Sequence, residues 1–204
     1  MDDAIRAGIA VYNAGLYHAA HDAWEDRWLG LESGTTDERF LHGLIQFTAA
    51  VYHARNRNWS GATGLAASAV EYLADLSADY RGVAVADVRA YLRELATDPE
   101  VTERRRPPAL TYDGRRLSLG DLNFGAAAVA APVLAEELDR YDEGVVADGV
   151  AYAREELDGS QSQFIALVMD FVSDADRRDL VYQRLGAHVD RRRQRERDVE
   201  NLFE

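Results

Sequence analysis

The 204-residue chain carries 36 acidic residues against 23 basic ones, a formal net charge of −13, and every basic residue is Arg. It has no Cys, which excludes disulfides, thiolate metal sites and thiol nucleophiles. No stretch approaches the roughly 20 apolar residues of a membrane helix, and Met1-Asp2-Asp3 lacks the basic flank and apolar run of an export signal. The expectation is a cytoplasmic protein without a membrane partner. Acidic excess together with missing Lys fits a halophilic protein, since molar salt screens self-repulsion over about 3 Å.

Residues 3–14 place Ile5, Ile9 and Tyr12 at spacings of four and three, which predicts an amphipathic helix ended by Gly15. A second helix is expected over 16–29, then a loop from 30 to 36, with Asp37 capping a third helix that runs to Arg57. Leu41, Leu44, Ile45, Phe47, Val51 and Tyr52 cover most of the third helix's circumference, so it is expected at the centre of the packing. Asn58-Trp59-Ser60-Gly61 breaks the pattern, and Ser60 is expected to open a fourth helix bearing Leu65, Ala69, Tyr72, Leu73 and Leu76. A fifth follows over 85–96.

Arg104-Arg105-Arg106-Pro107-Pro108 reads as an exposed connector. The Asp113-Gly114 pair after Leu110-Thr111-Tyr112 predicts a β-hairpin over 109–119. Beyond Asp121 the pattern is helical again. An Ala-rich segment over 123–141 contains Pro132, which either kinks a helix or sits in the first turn of a new one. The next helix, 143–157, is ended by Asp158-Gly159; Ser160 and Gln163 have capping-box spacing ahead of Phe164; and Ser173 is placed to cap the last helix. The fold class expected is all-α, a compact multi-helix bundle with one short β-hairpin. Its parts would be a helical domain (1–103), a connector and hairpin (104–120) and a C-terminal helical extension (121–204).

A helix advances about 100° per residue, so positions three and four apart share a face. On the second helix, Tyr17, His21, Trp24 and Trp28 share a stripe edged by His18, Asp22 and Glu25; on the third, His42, Gln46, Ala49, His53 and Asn56 share another. If the stripes face each other, His21, Asp22, Glu25, Gln46 and His53 form a buried polar cluster walled by Tyr17, Trp24 and Trp28. Polar groups in apolar segments need such partners.

Several chemistries fit. His21, Glu25 and His53 could hold a divalent metal with Asp22 orienting a ligand, as in a metal-assisted hydrolase. A His-carboxylate pair could serve as general base. The same residues also suit a hydrogen-bond network fixing helix register, and the His42 stripe could simply face water. His-Glu-x-x-His spacing is absent, as are a Gly-rich phosphate loop, a Gly-x-Ser-x-Gly elbow and a dinucleotide fingerprint.

The favoured expectation is a small-ligand-binding or protein-interaction module, with a homodimer through the C-terminal helices as one arrangement. The basic run Arg191–Arg197 does not point to nucleic acid, given the −13 charge, the interleaved Glu196, Asp198 and Glu200, and the salt sensitivity of phosphate contacts.

Three motifs carry a family resemblance. Tyr12-Asn13-x-Gly15-x-Tyr17 followed by His21-Asp22-x-Trp24-Glu25, then Gly43-Leu44-Ile45-Gln46 with Ala49-Ala50 and His53, then Asn58 with Gly61-Ala62 and Leu65, resemble in that order the domain of unknown function 309 family, small helical proteins of bacteria and archaea. Asp22 stands where Glu is usual and His42 where a polar amide is usual. The resemblance spans residues 10–75. It implies an all-helical compact domain and the importance of the same polar residues, and it supplies no reaction. The chain beyond 104 lies outside it.

Overall fold

The structure, a computed structural model, describes residues 1–157 and 162–200. The expected stop at Asp158-Gly159 and the expected cap Ser160 lie outside the described residues. The chain divides into two units, Met1–Leu122 and Asn123–Glu204. Among the described residues the fold is all-α apart from one two-stranded antiparallel pair. No described helix is long and apolar enough to cross a membrane.

The first unit is built from α1 (Asp2–Asn13), α2 (Tyr17–Leu29), α3 (Thr36–Arg55), α4 (Trp59–Leu73) and α5 (Val85–Thr97), each packed on its neighbour in sequence. α1 ends as its glycine predicts. Gly15, at φ +89°, lets the Gly15 and Leu16 amides donate back to the Tyr12 and Val11 carbonyls, which closes the helix end. α3 is central, with Phe40, Leu41, Leu44, Phe47 and Val51 fully buried, although Tyr52 lies 40% exposed.

Two glycines set the closest helix approaches. A Cβ on Gly8 would fall 2.1 Å from the Trp24 indole, and one on Gly43 would fall 2.5 Å from Leu73.

Two helix starts differ from expectation. Thr35, not Asp37, caps α3 by accepting the Glu38 amide, while Asp37 receives the Tyr80 hydroxyl at 2.7 Å and pairs with Arg81. Asn58, not Ser60, caps α4 by accepting the Gly61 amide. Both caps leave the next one or two positions inside the helix, where a short polar side chain reads equally well as a cap.

After α5 the chain makes a one-turn helix α6 (Val101–Arg104) that ends where the expected connector begins, then the hairpin β1 (Thr111–Tyr112) and β2 (Arg115–Arg116). Asp113 and Gly114, at φ +49° and +72°, form the turn that Asp-Gly announces.

The second unit contains α7 (Phe124–Glu137), α8 (Glu143–Glu155), α9 (Gln163–Ser173) and α10 (Arg178–Glu200). α7 runs through Pro132 without starting a new helix, and Ser162 caps α9. Ser173 does not cap the last helix; its hydroxyl donates to the Met169 carbonyl within α9. The buried Arg178 guanidinium instead donates to the Phe171 and Val172 carbonyls, satisfying the C-terminal end of α9. In the Arg-rich run, Arg192 pairs with Glu155 and Glu196, and Arg193 with Asp148.

Long-range polar contacts hold the hairpin region of the first unit to α1. The Asn13 amide donates to the Leu110 and Leu117 carbonyls and accepts the Leu110 amide, each at 2.9 Å, and the Tyr12 hydroxyl donates to the Pro108 carbonyl at 3.0 Å. Asn13→Ala leaves three backbone groups without their partner and is expected to lower unfolding free energy by about 2–3 kcal/mol. Urea unfolding reads the loss, and hydrogen exchange should localise it to residues 108–119; an unchanged midpoint would show the contacts to be dispensable.

Candidate functional site

The polar residues of α2 and α3 sort into separate groups. On α2, positions 18, 21, 22 and 25 lie along one edge because the helix repeats every three to four residues. Asp22 receives His21 Nδ1 at 2.8 Å and faces His18 Nδ1 at 3.3 Å. Ligand atoms of His21, Asp22 and Glu25 all lie within 4.8 Å of one another, the group among the described residues with metal-holding geometry. The His21 and Asp22 side chains are 28% and 24% exposed, so the group is half-buried rather than enclosed. The hydrogen bond to Asp22 raises the His21 pKa; burial opposes this, and the charges of Asp22 and Glu25 add to the rise.

A second group joins the end of α2 to the face of α3. The Trp28 indole donates to Glu38 at 2.9 Å, His42 Nδ1 stands 3.6 Å from the same carboxylate oxygen, and Gln46 Nε2 donates to His42 Nε2 at 3.0 Å. The His42 ring lies between Trp28 and Tyr72, with centroids at 4.5 and 4.0 Å. Gln46 therefore belongs with His42, and its own Oε1 is buried without a partner among the described residues.

His53 forms a third group. Its Nδ1 accepts from the Asn58 side chain at 2.9 Å, while the Asn58 backbone amide donates to the His53 carbonyl. Together they brace the α3–α4 turn, where Arg57 takes φ +59°.

The residues expected to wall a single pocket are dispersed as well. Trp24 is fully buried over Gly8, Trp28 belongs to the Glu38 group, and Tyr17 borders a different pocket with Arg55. The expected metal set had His53 as its third member; the group present has Asp22. Glu38 and Asn58 were not among the expected residues. The spacing of four along Glu38, His42 and Gln46 carried a signal for the first, whereas Asn58 was read as a turn residue and a member of the third motif, not as a partner for His53.

Residues 5–65 match the family described as Domain of unknown function (DUF309), which bears out the resemblance drawn from the motifs. An uncharacterized protein of Aquifex aeolicus (strain VF5) is 26% identical over 102 residues, half of this chain and 29% of that protein. The chain thus spans under a third of the length of the curated relative it matches.

Because its folded pKa is raised, His21 contributes stability below about pH 6.5, its unperturbed value, and that contribution is lost as pH rises through the raised value. NMR titration should find the His21 midpoint above 6.5, with Asp22→Asn moving it down. A midpoint unmoved by Asp22→Asn would remove the carboxylate as its cause.

Proposed function

We propose that residues 1–122 form a small-ligand-binding module and that the ligand held on α2 is a divalent cation. The observation carrying this reading is the convergence of an imidazole and two carboxylates within 4.8 Å. Mixed nitrogen and oxygen donors suit zinc, manganese or iron. Partial exposure leaves coordination positions to water, and His18 supplies an outer partner for Asp22. Calorimetry with zinc or manganese on the full chain should show one site, abolished by His21→Ala and by Glu25→Ala. His53→Ala should bind as the parent protein does, because His53 serves the α3–α4 turn. Affinity should fall as pH drops through the raised His21 pKa, since the proton competes with the metal. Absence of uptake, or uptake unaffected by His21→Ala, overturns the reading.

The same donor set favours one second reading, a metal-assisted hydrolase. Three protein donors with an open position are the pattern that makes bound water a nucleophile. Zinc-dependent turnover of a nitrophenyl ester or phosphate, lost in His21→Ala, would establish it; a zinc-loaded protein without turnover leaves binding as the function.

The cellular setting is part of the proposal. The charge of −13 and the absence of Lys support a salt-adapted cytoplasmic protein. Carboxylate repulsion is screened in salt while exposed ion pairs contribute little, so melting temperature should rise by several degrees from dilute buffer to molar KCl. A fall over that range would refute salt adaptation.

A further inference from the structure

The pocket beside Tyr17 is separate in its residues from the α2 group and opposite in charge. It encloses about 380 Å³ and is bordered by Asn13, Tyr17, Arg55, Arg106, Pro108 and Arg116 among others, with no Asp or Glu in its wall. That volume falls in the range of small-molecule sites.

Three guanidinium groups in one recess are unexpected in a chain with an excess of 13 negative charges. Three neighbouring arginines behave differently. Arg57 pairs with Glu103, Arg104 with Asp98 and Arg105 with Glu94, whereas Arg55, Arg106 and Arg116 take part in no ion pair among the described residues. What sets these three apart is their convergence: they border one recess whose wall offers no carboxylate to any of them.

The pocket is also held in shape. Tyr12 and Asn13 fix the chain at Pro108, Leu110 and Leu117, which brings Arg106 and Arg116 to the pocket that Arg55 and Tyr17 share. Arg55 stands 5.7 Å from the Tyr17 ring centroid, a cation–π contact that orders it without neutralising it. Outside the pocket's wall, but within electrostatic reach of Tyr17 and Arg55, the buried Tyr91 hydroxyl has no hydrogen-bond partner among the described residues. α2 begins at Tyr17 with no side-chain cap, so its first-turn amides add positive potential, while the facing end of α1 has its carbonyls closed by the Gly15 turn.

We propose that this pocket binds the phosphoryl group of a small organic phosphate. Three positive charges exceed what one carboxylate offsets, and guanidinium groups match phosphate oxygens through paired N–H donors. The Tyr17 ring supplies a flat wall for the rest of the ligand. The site stands independently of the α2 cation reading.

Pyrophosphate in metal-free buffer is the probe, titrated into the full chain by calorimetry with backbone NMR shifts as the site marker. One-site binding is expected, with shifts at residues 13–17, 55 and 106–116. Arg55→Gln, Arg106→Gln and Arg116→Gln should each weaken it about tenfold, the size of one charge-assisted contact. Arg93→Gln, an exposed arginine outside the pocket, and His21→Ala should leave it unchanged, and melting curves of the Gln variants confirm their folding. No saturable binding at millimolar pyrophosphate, equal weakening by Arg93→Gln, or tighter binding of citrate than of pyrophosphate overturns the assignment.

Discussion

The first unit depends on the saturation of one side-chain amide. Asn13 engages two carbonyls and one amide on chain about a hundred residues away, and Tyr12 adds a contact to Pro108. A short hairpin of two-residue strands has little cohesion of its own. Its position is therefore imposed from the end of α1, where Gly15 turns the chain so that Asn13 and Tyr17 serve neighbouring tasks. Tyr12 and Asn13 of the first motif therefore read as architecture rather than chemistry.

Polar residues on α2 and α3 follow a different logic. Instead of one shared cluster, each finds its nearest economical partner: His21 takes Asp22, His42 takes Gln46 beside Glu38, and His53 takes Asn58. Local partners cost less ordering entropy than partners on another helix. Among the described residues, the α2 group is the one that brings an imidazole and two carboxylates within 4.8 Å of one another, which sets it apart from two groups that fix helix ends and register.

The sequence made the helices legible because their apolar spacing is regular and because Gly15 and Asp113-Gly114 carry unambiguous backbone demands. Helix starts were harder. Thr35 and Asn58 were outcompeted on paper by Asp37 and Ser60, whose side chains reach a cap equally well, and the true cap is decided by where the preceding loop is held. Of the α2 donor group, spacing along one helix pointed to His21 and Glu25, whereas Asp22 was read as orienting a ligand and His53 stood in its place. The arginine pocket was not legible: Arg106 lay in what read as an exposed connector, and its meeting with Tyr17 and Arg55 is fixed by hydrogen bonds spanning 96 to 104 residues. Periodicity carries no information at that range.

The contact between Gly8 and Trp24 reaches beyond this one molecule. With the indole where a methyl at position 8 would stand, the two helices share a single volume that either residue can occupy but not both. Positions 8 and 24 are thereby linked through inheritance: a descendant that gains bulk on the first helix must give up the ring on the second. In an assembled set of relatives, the pair should drift as a seesaw, the sum of their sizes held nearly constant while each varies.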